Sequence, residues 1–509
     1  MSVRLFLCLA VLAAVLFASR RARACTGVYV GKKVSRDGGT IIARTLDLYP
    51  LTTLMRKQAV PAVRGKPGRV LKGIDGFSWP LPENTYAYVC TPAVSSDGRG
   101  RYASAAVNEK GLAVTGTVTA WINPQARQMD PPADDGLCEE VIPDLIASCC
   151  RTAREGVELI ARVMEKIGSA EQNIILLADP GEAWYVETYT RKNWAALRLP
   201  EDRAAVFGNE FMLEGHAPGE EGFLCSPGLF DMPMRAGIAC FDARGRMDLF
   251  RTYAGSFSDF ANGRTWWGRC AFAPTQAGEY RTDRKFPLLF RPEGKIGPKD
   301  VMELFRSRFE GTPYCPEETG RKDWRVLGSE STCTSHVLCV YEGLPEEASA
   351  VGWFSLANAE HSVYLPLSAL VTELDPAFSR DQSAAEGRHY DPALASVRFK
   401  RLCALCEQDR AMYGAGVRAL FSRLEVEWIA QAGEVNLQAA KSLNRGDPAG
   451  ARRLWTEFAQ KTEKTALAQA DRMWEELIWY MMDHTDSINY DYRWRTMEQT
   501  PRVQKPYEP

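Results

Sequence analysis

Residues 25–47 read CTGVYVGKKVSRDGGTIIARTLD, a stretch with the pattern of strand, turn and strand. Two runs rich in β-forming residues, 26–33 and 40–47, flank the turn signal SRDGG at residues 35–39. A strand, a glycine-rich turn and a second strand make a hairpin. The sequence therefore predicts a β-hairpin that begins directly after Cys25.

The hairpin brings charged side chains towards Cys25. If Lys33 lies near Thr40, Cys25 lies opposite the far end of the second strand, close to Arg44 and Asp47. An arginine beside a thiol stabilises the thiolate, and a carboxylate can hold an amine. A salt bridge near a strand end is the plainer interpretation of Arg-x-x-Asp.

The chain before Cys25 is typical of an export signal. Arg4 is followed by an apolar run over residues 5–18, which is too short to span a bilayer. Small residues at Ala22 and Ala24 suit a cleavage site. Arginines between residues 20 and 23 are unusual there, so a pro-segment that the protein removes from itself is the alternative. We expect an exported protein in the periplasm, at the cell surface or in the medium, with no stable membrane span after signal removal.

Cleavage after residue 24 would make Cys25 the first residue of the mature chain. A cysteine there is an accident of position, a lipid-anchored residue, or an N-terminal nucleophile. Arg23 argues against the lipid anchor, because that motif wants a small residue at this place. In the third case the α-amino group of Cys25 is the base, since its reference pKa is about 8.

Composition narrows the classes of function. The chain has 509 residues, a formal net charge of −2, 45% hydrophobic and 25% charged residues. These values exclude a disordered protein and disfavour a nucleic-acid binder. Only 5 histidines are present, and no phosphate-binding loop, Gly-x-Ser-x-Gly or His-Glu-x-x-His motif occurs. Cys403 and Cys406 form a lone Cys-x-x-Cys in a helical pattern, so we expect no metal and no cofactor.

Several motifs carry a family resemblance. Cys25-Thr26-Gly27, Asp37-Gly38 and Ala43–Asp47 resemble the opening of N-terminal-nucleophile hydrolases, shared by choloylglycine hydrolases and by the dipeptidase A/secernin cysteine peptidases. The surrounding spacing is more similar to the dipeptidase group. Further likeness lies in segments 106–114, 152–160, 173–188 and 206–210, although Val118 stands where the dipeptidases often have glutamate.

The resemblance implies a set of site residues. Cys25 would supply the nucleophile and the α-amino base, Arg44 would favour the thiolate, and Asp47 would hold the amine. Asn209 would donate a side-chain N–H to the oxyanion. Arg264 is the first choice for a second active-site arginine, with Arg269 as the alternative.

The resemblance also implies an α+β fold, a four-layer αββα sandwich with an added helical region. The predicted boundaries are 1–24 for the signal or pro-segment, 25–385 for the hydrolase domain, 386–494 for the helical region and 495–509 for a loose tail. The implied activity is hydrolysis of dipeptides with a free N-terminus. A penicillin V or bile-salt type acylase with the same cysteine is the alternative. The sequence leaves the oligomeric state and the pairing of the other cysteines open.

Overall fold

A computed structural model of the chain describes residues 25–51, 53–73, 76–94, 102–116, 118–321, 323–382 and 389–484. The predicted export segment, residues 1–24, and the predicted tail, residues 495–509, lie outside these residues. Within the described ranges, no helix is both long and apolar enough to cross a membrane.

The described residues contain twenty strands, which form two large antiparallel sheets and two small two-stranded sheets. The strands are β1 Thr26–Val30, β2 Thr40–Asp47, β3 Gln58–Val60, β4 Val70–Lys72, β5 Ser78–Pro80, β6 Tyr88–Pro92, β7 Ala103–Asn108, β8 Ala113–Thr115, β9 Val118–Thr119, β10 Asn173–Ala178, β11 Ala183–Thr188, β12 Trp194–Arg198, β13 Ala204–Phe207, β14 Gly215–His216, β15 Phe223–Cys225, β16 Met247–Asp248, β17 Leu289–Phe290, β18 Thr332–Val340, β19 Ala350–Ser355 and β20 Leu365–Leu367. The first sheet has the order β17-β13-β1-β2-β18-β19-β20. The second has the order β15-β12-β11-β10-β8-β7-β6-β3, with β9 beside β10.

Thirteen α-helices are present in the described part of the chain. They are α1 Pro124–Met129, α2 Ile142–Cys149, α3 Ala153–Lys166, α4 Gly228–Ala236, α5 Leu249–Tyr253, α6 Asp259–Phe272, α7 Pro274–Ala277, α8 Pro298–Arg306, α9 Pro316–Thr319, α10 Pro376–Ser379, α11 Ala395–Cys406, α12 Ala415–Asn444 and α13 Pro448–Asp483. A π-helical turn, Arg410–Gly414, leads into α12.

The predicted hairpin is confirmed. Strand β1 pairs with β2, with Thr26 opposite Thr45 and Val30 opposite Ile41. Gly38 lies in the connecting turn with a φ of 77°, a conformation that suits glycine. Every residue of β1 and β2 is buried, because the sheet is covered on both faces.

The two large sheets pack face to face, with β2 and β18 of the first against β7, β8 and β10 of the second. Helices α2 and α3 cover the second sheet. Helices α6, α8, α12 and α13 pack on the first. The molecule is therefore a four-layer αββα sandwich of the α+β class, as the resemblance implied.

The C-terminal helices complete the outer layer. Helices α12 and α13 form an antiparallel pair, and Asp447 caps α13 by accepting a hydrogen bond from the Gly450 N–H at 2.8 Å. Fully buried Lys57 and Glu463 join this pair to the sandwich, with Nζ and Oε1 3.2 Å apart. Arg306 and Glu425 make a second such contact at 2.6 Å. The boundary at residues 385–386 stays a prediction.

Candidate active site

Cys25 immediately precedes β1 and has no exposed surface. Extending the β1–β2 register by one pair places it opposite Leu46. Its backbone nitrogen donates to Asn209 Oδ1 at 2.9 Å. The thiol, the backbone nitrogen and the carbonyl oxygen of Cys25 each contact a polar side chain from another part of the fold.

Arg44 reaches the thiol from the neighbouring strand. One terminal nitrogen, Nη2, donates to Cys25 Sγ at 3.2 Å and also contacts the Glu139 carboxylate. The other terminal nitrogen donates to the Ser104 carbonyl at 3.3 Å. Both Arg44 and Glu139 are fully buried, so the sulfur lies beside a desolvated ion pair.

The environment of that ion pair fixes the arginine. The Tyr102 hydroxyl donates to the Glu139 carboxylate at 2.6 Å. Gly116 leaves room for the guanidinium, since a Cβ there would lie 2.5 Å from Arg44 Nη1. Glu139 itself begins a short 3-10 turn ahead of α2, where its backbone N–H donates to Glu171.

Burial dominates the acid–base properties of the thiol. It raises the pKa of Cys25 above its ordinary value, and although Arg44 opposes this rise, Glu139 and Asp47 add to it. For Arg44, burial works against the charge, yet Cys25 and Glu139 raise its pKa well above the usual value. The arginine therefore stays charged beside a thiol that burial keeps protonated.

Asp47 lies at the end of β2 but uses its carboxylate elsewhere. One oxygen accepts from the Thr332 hydroxyl at 2.6 Å, and the other accepts from Arg325 Nη2 at 2.8 Å. A hydrogen bond from the Asp47 backbone acts on the Cys25 thiol and lowers its pKa. The nitrogen of Cys25 contacts Asn209 instead of this carboxylate.

Asn209 follows β13 and has a fixed orientation. Its Oδ1 accepts from the Cys25 nitrogen and from Arg264 Nη2, each at 2.9 Å. Its Nδ2 donates to the Thr119 carbonyl at 2.9 Å. Because Oδ1 faces two donors, a flipped amide would oppose N–H to N–H. The Asn209 side chain in this geometry offers an acceptor to Cys25, and its role at the oxyanion stays a prediction.

Arg264 projects from α6 onto the same residue. It donates to the Cys25 carbonyl, to Thr26 Oγ1 at 3.1 Å and to Phe260 O at 2.9 Å. A Cβ at Gly208 would lie 2.7 Å from its Nη2, so that glycine admits the side chain. Burial, and next repulsion from Arg325, lowers the pKa of Arg264 to about 10.

Arg269, the alternative arginine, lies further along α6. It donates to the carbonyls of Pro287 and Leu289 and stacks against Phe286 and Phe290. The structure thus brings Arg264 to Cys25 and leaves Arg269 in the packing around β17.

His336 lies opposite Arg44 on β18 and is fully buried. Both ring nitrogens lack a hydrogen-bond partner among the described residues. Burial and then Arg44 hold its pKa well below the usual value. The ring is therefore neutral, and its contribution to the site is bulk beside the arginine. Within the same part of the chain, no three His, Cys, Asp or Glu side chains are grouped to hold a metal.

Three polar neighbours of the site are not predicted by the sequence: Tyr102, Glu139 and Arg325. Glu139 precedes a helix, where acidic residues are common for reasons of helix polarity. Arg325 lies in an irregular loop before β18, and Tyr102 precedes β7. None of these positions carries a local signal for chemistry, because each meets Cys25 or its partners through tertiary contacts alone.

Comparison with known proteins gives relatives over most of the chain. "Probable dipeptidase B" of Streptococcus pyogenes serotype M1 is 26% identical over 89% of this chain and 91% of its own length. "Probable dipeptidase B" of Lactococcus lactis subsp. lactis is 28% identical over 74% of this chain and 79% of its own length.

Among solved structures, a mutant of a conjugated bile acid hydrolase from Clostridium perfringens matches with 12% identity and a TM-score of 0.31. The match covers 68% of this chain and 92% of that protein.

The family model for peptidase family C69 matches residues 24–390 and begins one residue before Cys25. That match takes in the hairpin, both large sheets and each of the residues gathered around the thiol. It confirms the resemblance to dipeptidase A type cysteine peptidases. The chain belongs to peptidase family C69.

Proposed function

We propose that this peptidase is an exported dipeptidase whose nucleophile is Cys25, freed by removal of residues 1–24. The observation that carries the proposal is the convergence of Arg44, Asn209 and Arg264 on the thiol, backbone nitrogen and carbonyl of Cys25. The dipeptidase names of the relatives support the substrate class. Export rests on the charge and hydrophobic pattern of residues 1–18.

Removal of residues 1–24 would turn the Cys25 nitrogen from an amide into an α-amine. An α-amine has a reference pKa of about 8 and accepts a proton near neutral pH. Asn209 Oδ1, 2.9 Å from this nitrogen, is an acceptor that would orient it. The burial that raises the thiol pKa explains why a base is needed.

In the reaction, the amine takes the thiol proton and the Cys25 sulfur attacks the peptide carbonyl carbon. Arg44, 3.2 Å from the sulfur, stabilises the thiolate. The amine then protonates the departing amino group, which leaves a thioester on Cys25. Water, deprotonated by the same amine, cleaves the thioester and regenerates the thiol.

The nucleophile is tested with Cys25→Ala and Cys25→Ser. Both variants should lose dipeptide hydrolysis. The control C240S should retain it, because the thiol of the partly exposed Cys240 contacts the Ile238 carbonyl, at 3.8 Å, and none of the residues around Cys25. A panel of dipeptides and acyl amides tests the substrate class. Full activity in purified C25A protein would overturn the mechanism, and faster release from acyl amides would favour an acylase.

The N-terminus is tested by intact mass. A mature chain that begins at Cys25 with a free amine supports the proposal, and a lipid adduct contradicts it. The mass of C25A separates two routes of maturation. Removal of residues 1–24 from C25A indicates a signal peptidase, whereas their retention indicates self-processing by Cys25.

A further inference from the structure

Two of the three arginines near Cys25 have almost no exposed surface, so a ligand from solvent does not reach them in this geometry. Arg44 is 0% exposed and serves Cys25, Glu139 and Ser104. Arg264 is 1% exposed and uses its three guanidinium nitrogens on the carbonyls of Phe260 and Cys25 and on Asn209 Oδ1. Both arginines therefore contact Cys25 from the interior of the protein.

Arg325 differs from both. Its side chain is 14% exposed, while the Asp47 carboxylate beneath it is 2% exposed. Nη2 donates to Asp47 and to Ser331 Oγ at 2.6 Å. Nε is buried and has no hydrogen-bond partner among the described residues, so a donor of this guanidinium is unused.

Arg325 lies between the protein interior and the surface. Burial opposes its charge, but Asp47 and the Tyr49 hydroxyl outweigh burial and raise its pKa. Tyr49 is 43% exposed, so the guanidinium lies between a buried carboxylate and a side chain at the surface. On the inner side, Asp47 acts on the Cys25 thiol through its backbone. Arg325 therefore contacts Asp47, the residue that in turn contacts the Cys25 thiol.

A dipeptide presents a charge at a matching position. Its C-terminal carboxylate carbon is three covalent bonds, about 3–4 Å, from the carbonyl carbon that the thiol attacks. An anion placed so close to the scissile bond needs a cation beside the nucleophile. An arginine suits it, because its planar fork of N–H donors matches the two carboxylate oxygens.

Resting on the dipeptidase activity proposed above, we propose that Arg325 binds the C-terminal carboxylate of the substrate. A longer peptide or an amide places a neutral group opposite the guanidinium and forfeits that charged contact. Arg325 thereby restricts cleavage to the bond next to a free C-terminus. It is a substrate-binding residue, and its contact with Asp47 positions it.

The test compares a dipeptide, Ala-Phe, with its C-terminal amide, Ala-Phe-NH2, in the mature full chain. Hydrogen bonds to charged groups set the scale, so wild type should prefer the acid by about 10- to 150-fold in kcat/KM. R325Q should bring this preference to within about threefold of unity, mainly through KM, and R325K should keep part of it. The exposed Arg281, which pairs with Asp283, gives the control R281Q with an unchanged preference.

The ratio of the two substrates separates binding from structure. Loss of the Asp47 contact in R325Q lowers the rates on both substrates, but a purely structural role leaves their ratio unchanged. An unchanged ratio in R325Q overturns the inference. If R325Q fails to fold, R325K provides the test. A preference for the acid over the amide that is unaltered in R325K contradicts a bidentate contact between Arg325 and the substrate carboxylate. Wild type that cleaves no dipeptide refutes the proposed function, whereas equal cleavage of acid and amide refutes only the role of Arg325.

Discussion

The Arg44 guanidinium and the Glu139 carboxylate form an ion pair with no exposed surface, and Nη2 of that arginine contacts both Glu139 and the Cys25 sulfur. A buried pair of this kind has a large desolvation cost, so removal of one partner leaves the other charge uncompensated. Glu139 therefore determines both the place of Arg44 and the electrostatic potential at the thiol.

We expect E139Q to lower the free energy of unfolding by about 3–5 kcal/mol, because Arg44 loses its buried counter-charge. The same change should move the pH profile of Cys25 alkylation to lower pH, since Glu139 raises the thiol pKa. Urea unfolding and the rate of reaction with iodoacetamide measure the two effects.

A surface glutamate provides the control. Glu158 pairs with Arg154 one helical turn away, and both side chains are about half exposed. E158Q should change the free energy of unfolding by less than about 0.5 kcal/mol. An alkylation profile in E139Q that stays in place or moves to higher pH would contradict the electrostatic role assigned to Glu139.

Gly116 limits the position of Arg44 from the other side. In G116A the new Cβ would lie 2.5 Å from Arg44 Nη1 and 2.6 Å from the Ser104 carbonyl oxygen. We expect the guanidinium to shift away from Cys25, with a fall in kcat/KM of up to about 100-fold and a loss of about 1–3 kcal/mol in stability. Dipeptide hydrolysis and thermal unfolding give the two readouts.

The matched control is an alanine at a glycine with free space around it. Gly433 is exposed within α12, and a Cβ there meets nothing within 4 Å. G433A should raise stability by about 1 kcal/mol, the helix-propensity difference between the residues, and leave activity unchanged. Wild-type activity in G116A would show that the packing of this glycine does not position Arg44.

The parts of the molecule that could be predicted are those with a local signal. The hairpin from Cys25 to Asp47 follows from two β-rich runs around a glycine turn, and its register brings Arg44 to the thiol. The break between α12 and α13 follows from Asn444 and Pro448. In each case residues within a few positions of one another determine the outcome.

The partners of Arg44 and Asp47 could not be predicted, because they lie far away in the sequence. Arg325 contacts Asp47 across 278 positions, and Glu139 contacts Arg44 across 95. Arg325 also changes the interpretation of Asp47, whose carboxylate is occupied by that arginine and Thr332. An isolated Arg-x-x-Asp pattern contains no information on such competition.

The buried carboxyl of Glu210 should make the stability of the protein depend on pH. Its side chain is buried, one oxygen accepts from the Ser258 N–H at 2.8 Å, and burial raises its pKa to about 7. A carboxyl whose pKa is higher in the folded state favours folding when protonated. Its contribution is complete below the unfolded pKa of about 4.5 and declines as the pH rises through about 7.

We expect wild type to lose roughly 2–3 kcal/mol more stability than E210Q between pH 5 and pH 8. The glutamine keeps an acceptor for Ser258 but has no proton to lose. Urea unfolding of both proteins at the two pH values measures the difference. Parallel changes in the two proteins would show that Glu210 does not titrate in this range.

The buried ion pair of Lys57 and Glu463 should couple the stability of the sandwich to that of α13. Both side chains are 0% exposed, so K57M or E463Q alone leaves one buried charge and costs about 3–5 kcal/mol. In the double variant no charge remains, and the amide oxygen of E463Q still accepts from the Asp375 N–H, a contact of 2.9 Å in wild type. The double variant should therefore be more stable, by at least about 2 kcal/mol, than the summed costs of the two single changes indicate.

The exposed pair Arg472–Glu476 supplies the comparison. There the stability changes of R472M and E476Q should add to within about 0.5 kcal/mol. Additive costs at Lys57 and Glu463 would mean that the two charges do not stabilise one another.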